Sequence, residues 1–268
     1  MENYIMGIYR CDQKDRTKVT GIEGIEIDPL TMAEAVERCL KIARNRAAEV
    51  PYVVTPNVNH IVLLRDNEEF QKAYKNAILV LTDGKPVRTV LNFFGKPIPE
   101  IVPGSDLVPR IFDAVPEEQP ITVFLLGAGD GVAERAAQLI QSRWRGVRIV
   151  GCYSPPMGFE SSQTEEQKIR GVVDAANPDL LVIGLGAPKQ ELWINKNRSR
   201  LNAGVALCVG ATIDFLAGEK KRCPFWMRKI ALEWLYRIYS EPRRLARRYA
   251  GDALIFTEIV WREWRRSH

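Results

Sequence analysis

The chain has 268 residues, of which 46% are hydrophobic and 26% charged, and its formal net charge is +5. This composition is typical of a soluble globular protein with a sizeable core and excludes an intrinsically disordered chain. No apolar run reaches the ~18 residues that a membrane span needs, and the polar N-terminus lacks the apolar segment of a signal peptide.

Cysteine and histidine usage restricts the redox and metal chemistry of the chain. The five cysteines are scattered, and their odd number indicates a reducing cytosol rather than a disulfide framework. The histidines are His60 and His268, and no two cysteines lie close together in the sequence. This pattern argues against a zinc site.

The first fifty residues predict an arm, a hairpin and a helix. Residues 1–20 are mostly polar, which is typical of a loose arm or an edge segment, and residues 19–27 favour a strand or hairpin. Thr31 and Glu34 have the spacing of a capping box. The apolar positions after them predict a helix to about Arg46.

The end of the next predicted strand, over residues 51–54, carries the first candidates for a binding site. Thr55 and Asn57 follow this strand directly. Ligands of open α/β sheets collect outside the carboxyl ends of the strands, so both side chains are candidates for substrate binding. Asn57 as a simple helix cap is an equally good interpretation. His60, in the helix that follows, is expected to pack or to hydrogen-bond locally.

The following strand, over residues 77–81, ends in a carboxylate. Asp83 stands at its tip and is followed by Gly84. A carboxylate in this position faces the ligand crevice and is able to act as a general base when its pKa suits the reaction. The alternative interpretation makes Asp83 the N-cap of a helix that begins near Pro86.

The second half of the chain alternates strands with helices, which is typical of a parallel α/β sheet. After a proline-rich connector, Ser105 or Asp106 is expected to cap a helix that runs to about residue 114. A glycine-rich turn at residues 127–131 follows a predicted strand, but the dinucleotide fingerprint fails because Val132 occupies its sixth position. The next strand also lacks the acidic residue of that fingerprint, so NAD binding is not expected.

The most distinctive stretch begins with a strand over residues 180–185 that is apolar without alternation, as expected of a strand buried on both faces. Gly184 and Gly186 allow a tight turn, and Lys189 and Gln190 lie in the first turn of the helix that follows. The unpaired N–H groups of such a helix N-terminus attract anions, phosphates above all. An ordinary strand–helix turn is the alternative interpretation.

The last predicted strand, over residues 204–209, is also followed by a carboxylate, that of Asp214. This side chain is placed to accept hydrogen bonds from a ribose diol or an amide in the same crevice. Capping of the short turn at Phe215 and Leu216 is an equally good interpretation.

The last fifty residues differ in character from the rest of the chain. Residues 219–268 contain thirteen Lys and Arg against six Asp and Glu, a formal charge of +7, so the remainder of the chain carries −2. Nine aromatic side chains are interleaved with these basic residues. A basic, aromatic-rich segment is typical of an element that lies on an anionic membrane surface. A nucleic-acid surface and a plain solvated helix face are the alternatives.

Several motifs, taken in order, resemble those of the WecG/TagA/CpsF family of bacterial glycosyltransferases. The resemblance covers most of the chain, from about residue 21 to residue 249. Each motif alone is a weak signal, but the ordered set is specific. The motifs are Gly24-Ile-Glu-Ile-Asp-Pro-Leu-Thr31, Thr55-Pro-Asn57, Asp83-Gly84, Gly104-Ser-Asp-Leu107, Leu125-Leu-Gly-Ala128, Gly184-Leu-Gly-Ala-Pro-Lys-Gln-Glu191, Val209-Gly210, Asp214-Phe-Leu-Ala-Gly218, Leu232-Glu-Trp-Leu-Tyr-Arg237 and Glu241-Pro242.

The resemblance implies a Rossmann-like parallel α/β core at residues 21–218 and a basic, helical, membrane-associating appendage at residues 219–268. It implies a UDP-sugar donor that carries N-acetylmannosamine, its uronic acid or a glucose-type sugar, and an acceptor sugar on undecaprenyl diphosphate. It also implies that the transfer inverts the anomeric centre and serves cell-wall or surface polysaccharide synthesis. The enzyme is then expected to be peripheral on the cytoplasmic face of the bacterial membrane, without nucleic acid as a partner and with a homo-oligomer as one alternative for its assembly.

The resemblance also assigns roles to single residues. Asp83 matches the catalytic base, which takes the proton of the acceptor hydroxyl. Ile101 stands where many family members have an arginine. The residues matched to substrate binding are Thr55 and Asn57 in the same pocket, Gly186, Lys189 and Gln190 on the nucleotide and diphosphate side, Asp214 at the uridine, and Arg222, Arg228 and Arg237 toward the diphosphate from the appendage.

No Asp-x-Asp motif follows a predicted strand in the manner of metal-dependent sugar transferases, so neither an essential metal nor another cofactor is expected. Two other functions stay open as alternatives. A nucleotide-dependent oxidoreductase is disfavoured by the failed glycine fingerprint. A non-catalytic module that binds membrane or nucleic acid is distinguished by replacing Asp83 with asparagine, because such a module is indifferent to that change.

Overall fold

The structure is a computed structural model that describes residues 18–220, 223, 227, 236 and 242–267. The expected arm at residues 1–20 therefore lies outside the described residues except at its end. The strands, in chain order, are β1 (Val19–Thr20), β2 (Glu26–Ile27), β3 (Tyr52–Val54), β4 (Leu79–Val80), β5 (Ile121–Gly127), β6 (Val147–Tyr153), β7 (Leu180–Gly184) and β8 (Val205–Cys208).

The described helices alternate with these strands through most of the chain. Short 3-10 turns occur at Ile22–Gly24, Phe159–Ser161 and Arg198–Arg200. The α-helices whose full ranges the structure describes are α1 (Met32–Arg44), α2 (Val58–Asp66), α3 (Glu68–Asn76), α4 (Lys85–Phe93), α5 (Gly104–Asp113), α6 (Val132–Arg143), α7 (Gln163–Ala176), α8 (Lys189–Asn197), α9 (Thr212–Leu216) and α10 (Pro242–Ser267).

A single six-stranded parallel sheet forms the centre of the fold, with strand order β4-β3-β8-β7-β5-β6. Its strands are apolar on both faces because helices cover both sides. Leu181 and Ile183 of β7 face the layer that contains α2, α3, α4, α7, α8 and α10. Leu180 and Val182 face the layer of α1, α5, α6 and α9. The predicted parallel α/β class is thus confirmed.

Local sequence signals account for the first elements of the fold, the β1–β2 hairpin and helix α1. The predicted hairpin is present, since β1 and β2 pair antiparallel with Val19 opposite Ile27. The capping box is also confirmed: the Thr31 hydroxyl accepts from the Glu34 N–H at 3.3 Å, and the Thr31 N–H donates to the Glu34 carboxylate at 2.8 Å. Helix α1 ends at Arg44, close to the expected boundary.

The start of α5 corrects one expectation. Neither Ser105 nor Asp106 caps this helix, because its N-cap is Pro103 and no side chain makes a capping hydrogen bond there. The chain is instead held by close packing: a Cβ on Gly104 would lie 2.6 Å from a methyl carbon of Val209. Packing against the end of β8 therefore sets where α5 begins.

The C-terminal helix α10 packs against α2 and the 3-10 turn at Ile22–Gly24. Its buried face carries Asp252, Phe256 and Ile259. The Asn59 amide donates to the Asp252 carboxylate at 3.2 Å, and Arg262 forms an ion pair with Glu23. In the part of the chain that the structure describes, we find no helix with both the length and the apolar character needed to cross a membrane. The boundary of the appendage at residue 219 stays a prediction.

Candidate active site

Strand order places a crevice at the carboxyl edge of the sheet. The chain leaves β5 through α6 toward β6 on one side, and it leaves β7 through α8 toward β8 on the other side. Such a topological switch point is where open α/β sheets bind their ligands. The turns after β3, β4, β7 and β8 all lie at this carboxyl edge of the sheet.

Close backbone packing joins the turns after β5, β7 and β8. A Cβ on Gly127, at the end of β5, would lie 2.6 Å from the carbonyl group of Gly184. A Cβ on Gly184, at the end of β7, would lie 2.8 Å from the carbonyl oxygen of Gly210, after β8. Only glycine permits this approach, so both residues bring the turns of three neighbouring strands together.

Thr55 and Asn57 follow β3, as predicted. The Thr55 side chain is buried, and its hydroxyl lies 3.5 Å from the carbonyl oxygen of Cys208 at the end of β8. Asn57 is half-buried and caps α2, since its side-chain oxygen accepts from the His60 N–H at 3.3 Å. The capping interpretation of Asn57 is therefore confirmed, whereas substrate binding by either residue stays a prediction.

Asp83 lies directly beside this turn. Its N–H donates to the Pro56 carbonyl at 2.9 Å, which holds the tips of β3 and β4 together. The interpretation of Asp83 as a helix N-cap is wrong. Gly84, with φ of 95°, is the N-cap of α4, a backbone conformation that glycine adopts easily and aspartate rarely. The carboxylate of Asp83 is half-buried at the carboxyl edge.

The turn after β7 leads into α8 as the sequence predicts. Gly186 has φ of 79°, the Ala187–Pro188 peptide bond is cis, and Lys189 begins the helix. The Lys189 ammonium lies 2.5 Å from the Glu160 carboxylate, and a little over two-fifths of each side chain is exposed. This hydrogen bond with Lys189 lowers the pKa of Glu160. A phosphate at this helix N-terminus would compete with Glu160 for Lys189.

A side chain that binds phosphate is expected to be exposed, but only 2% of Gln190 is accessible. Its amide oxygen accepts from the Gly210 N–H at 3.2 Å, and its amide nitrogen donates to Glu191 at 2.7 Å. The structure thus places Gln190 between the turns that follow β7 and β8. A contact between Gln190 and the nucleotide stays a prediction.

Asp214 lies within α9, beyond the end of β8. The alternative interpretation, in which Asp214 caps the short turn at Phe215 and Leu216, is wrong, because the N-cap of α9 is Ala211 and makes no side-chain capping bond. The Asp214 main-chain oxygen accepts from the N–H groups of Glu219 and Lys220, and its carboxylate lies 3.9 Å from the Lys220 ammonium. Uridine binding by Asp214 stays a prediction.

Glu191 was not among the site residues predicted from the sequence, and its side chain has no exposed surface. Burial raises its pKa to about 7, although hydrogen bonds from Gln190 and the backbone favour the charged form. Among the described residues, its second oxygen has no hydrogen-bond partner. Burial, together with the negative charge of Glu191, also raises the pKa of Tyr74 and of Cys208 well above the usual values.

Helical spacing signals the burial of Gln190 but not that of Glu191, which stands one position outside the buried stripe. Positions 190, 193, 194 and 197 repeat at intervals of three and four residues, and the middle two are Trp193 and Ile194. The same stripe therefore predicts that position 190 faces the core, and the structure buries Gln190, Glu191 and Asn197 of α8 as well.

The remaining candidates from the appendage are Arg222, Arg228 and Arg237, which lie outside the described residues. The structure therefore does not place them at the crevice or away from it. Within the described ranges, no group of three or more His, Cys, Asp or Glu side chains is arranged to hold a metal ion.

The chain matches known proteins over nearly its whole length. The model of the "Glycosyl transferase WecG/TagA/CpsF family" matches residues 20–268. Relatives in Staphylococcus aureus strains MRSA252, MW2 and NCTC 8325 / PS 47 are 25% identical over 236 residues, which cover 88% of this chain and 90% of theirs. Each carries the name N-acetylglucosaminyldiphosphoundecaprenol N-acetyl-beta-D-mannosaminyltransferase. The chain is a glycosyltransferase and belongs to the WecG/TagA/CpsF family.

Proposed function

We propose that this enzyme transfers a sugar from a UDP-sugar donor to a sugar carried on undecaprenyl diphosphate, in the synthesis of cell-wall or surface polysaccharide. The names of the relatives support an acceptor of this class and a donor of the N-acetylmannosamine type. N-acetylmannosaminuronic acid and glucose-type sugars are the other donors to be tested.

The observation that carries the proposed mechanism is the position of Asp83. Its carboxylate is half-buried at the tip of β4, and its backbone is fixed to the turn that bears Thr55 and Asn57 by the hydrogen bond to Pro56. A general base has to be held rigidly beside the proton that it removes. Main-chain bonds on a sheet edge provide that rigidity.

The proposed transfer is a single displacement. The Asp83 carboxylate takes the proton of the acceptor hydroxyl, and the hydroxyl oxygen forms a bond to the anomeric carbon of the donor. The bond from that carbon to the phosphate oxygen breaks, and UDP leaves with the electron pair. Since attack comes from the face opposite UDP, the anomeric configuration is inverted.

The diphosphate of the donor is proposed to lie near the N-terminus of α8. Its charge would be balanced there by backbone N–H groups, by Lys189 and by the arginines 222, 228 and 237 of the appendage. Gly186 leaves the turn without a side chain, and Asp214 would accept hydrogen bonds from the uridine end. With these cations available, we propose that no metal ion is required.

Release of UDP from a panel of UDP-sugars, with a soluble lipid-diphosphate-sugar acceptor, tests this proposal. We expect acceptor-dependent release with one donor, in the presence or absence of EDTA. Asp83→Asn should lower kcat by about 100-fold or more, the contribution of a general base, while UDP binding is retained. Asp66→Asn, an exposed substitution on α2, is the matched control and should leave kcat unchanged.

Two outcomes would contradict the proposal. Folded protein that neither binds UDP nor releases it from any donor would exclude the UDP-sugar transfer. Unchanged kcat in Asp83→Asn would exclude Asp83 as the base, even if the transfer itself were observed.

A further inference from the structure

A buried polar cluster lies beneath the candidate site and consists of His60, Tyr74, Gln190 and Glu191. None of these side chains has more than 6% of its surface exposed. The cluster is formed by α2, α3 and the first turn of α8. A buried polar group is costly unless it is hydrogen-bonded, so the bonds within the cluster are expected to constrain its surroundings.

The direction of the two hydrogen bonds made by the Gln190 amide is fixed. The backbone N–H of Gly210 can only donate, so the group of Gln190 that faces it at 3.2 Å must be the amide oxygen. The amide nitrogen of Gln190 then points at Glu191 Oε1, 2.7 Å away. Position 191 therefore has to present an acceptor, and a carboxyl oxygen does so in either protonation state.

The cluster also reaches the turn after β3. The His60 ring nitrogen Nδ1 lies 2.6 Å from the Tyr74 hydroxyl and 4.0 Å from Glu191 Oε1. The backbone N–H of the same histidine donates to the Asn57 side chain. Glu191 thus lies next to residues that fix three loops of the carboxyl edge, those after β3, β7 and β8.

We propose that Glu191 is a positioning residue for donor binding. By accepting from Gln190, it keeps the Gln190 oxygen on the Gly210 N–H and so holds the turn that leads to Asp214. This inference rests on the proposed function, in which Asp214 lies at the uridine end of the donor. Asp83 is fixed by its backbone hydrogen bond to Pro56, in which Glu191 takes no part, so the chemical step should not depend on Glu191.

Substitutions at position 191 separate hydrogen bonding from simple space filling. Glu191→Gln keeps an acceptor oxygen in place, whereas Glu191→Met fills a similar volume without one. In Glu191→Met, the dissociation constant of UDP and the KM of the donor are expected to rise about tenfold, as for the loss of one buried hydrogen bond, with kcat nearly unchanged. Glu191→Gln should restore both constants to within about twofold.

Amide hydrogen exchange of the peptide that contains Gly210 provides a readout that needs no activity. Protection of this amide should fall in Glu191→Met and persist in Glu191→Gln. If Glu191→Met does not fold, Glu191→Asp serves in its place, because the shorter side chain withdraws the acceptor from Gln190. Glu37→Met, on the exposed face of α1, is the control.

The results distinguish this inference from the proposed function. If Glu191→Met loses protection at Gly210 but the enzyme uses a donor that carries no UDP, the positioning role is supported and the UDP assignment is rejected. Equal protection and equal donor KM in Glu191→Met and Glu191→Gln would overturn the positioning role, whatever the enzyme transfers. A fall in kcat alone would also overturn it, because it would place Glu191 in the chemical step.

Discussion

Burial of the Glu191 carboxyl group makes the stability of the protein depend on pH. Its pKa in the folded protein is about 7, above the ordinary value of 4.5. The folded state therefore favours the protonated form, so this contribution to stability is present below about pH 4.5 and is lost as the pH rises through 7. The full difference corresponds to a free energy of unfolding on the order of 3 kcal/mol.

Glu191→Gln is expected to remove this dependence, because a neutral amide does not titrate. Urea unfolding at pH 5 and pH 8 should show a smaller loss of free energy in the variant than in the wild type. Glu37→Gln, at an exposed position, should behave like the wild type. An identical loss in wild type and Glu191→Gln would show that Glu191 does not titrate in this range.

Single residues differ in how far the sequence predicts them. The capping box of Thr31 and Glu34 depends on residues three apart, and it was predicted correctly. The contact of Glu191 with His60 joins residues more than a hundred positions apart, and only the folded sheet brings them together. Asp83 illustrates the intermediate case: its place at a strand tip was foreseen, but Gly84 replaced it as the cap because the turn requires a positive φ.

At the level of elements, α10 depends on packing rather than on its own sequence, because its charges would otherwise keep it in solvent. Ile259 is fully buried on the face that contacts α2. Ile259→Ala is expected to cost about 2–4 kcal/mol of the energy that holds this helix in place. Limited proteolysis should then cleave within residues 242–267 earlier than in the wild type.

Leu254 on the same helix provides the control, since 76% of its surface is exposed. Leu254→Ala should leave the cleavage rate unchanged, because an exposed side chain contributes little to packing. Equal cleavage of wild type and Ile259→Ala would show that Ile259 does not hold α10 on the core.

The boundaries of helices and strands were predicted correctly where residues close in sequence determine them. They were missed where packing against distant residues determines them. Strand β7 and helix α8 lie close to their expected limits, because an apolar run and a Gly-Pro turn mark them. Strand β4 has only two residues instead of the expected five, since it lies at the sheet edge and β3 pairs with it over a short stretch. The start of α5 depends on the contact of Gly104 with Val209, which no local pattern encodes.

At the scale of the whole molecule, alternation of strands and helices predicted the parallel sheet but not its strand order. The order places β3 beside β8, although about 150 residues separate them in sequence. The crevice depends on that order, because it brings Thr55 to the end of β8 and Gln190 to Gly210. The edge that carries the candidate residues was therefore predictable, and their mutual contacts were not.

Charge is also distributed unevenly over the molecule, with the basic appendage at residues 219–268 following a core of slightly negative charge. Trp261 of α10 is 53% exposed and stacks on Trp264, and the Arg265 guanidinium lies 5.1 Å from the Trp261 ring centre. Exposed tryptophan beside arginine favours the interface of an anionic bilayer. We therefore propose that the end of α10 contacts the membrane.

Sedimentation with vesicles tests this contact. The full chain should bind vesicles that contain an anionic phospholipid, and binding should weaken as salt is raised, because screening reduces the attraction. The double variant Arg265→Glu and Arg266→Glu should bind at least about tenfold more weakly, since each basic residue near the surface contributes about 1 kcal/mol.

The control is a second double variant that makes the same change in net charge at a site away from α10. Arg145 and Arg148 are exposed at the start of β6, one edge strand of the sheet. Helix α10 packs on α2, which follows β3 near the opposite edge, so the two pairs of arginines lie on different parts of the protein. If binding is specific to the end of α10, Arg145→Glu with Arg148→Glu should leave it nearly unchanged. Equal weakening by both double variants would instead mean that net charge alone attracts the protein to the vesicles, and the proposed contact of α10 would be wrong.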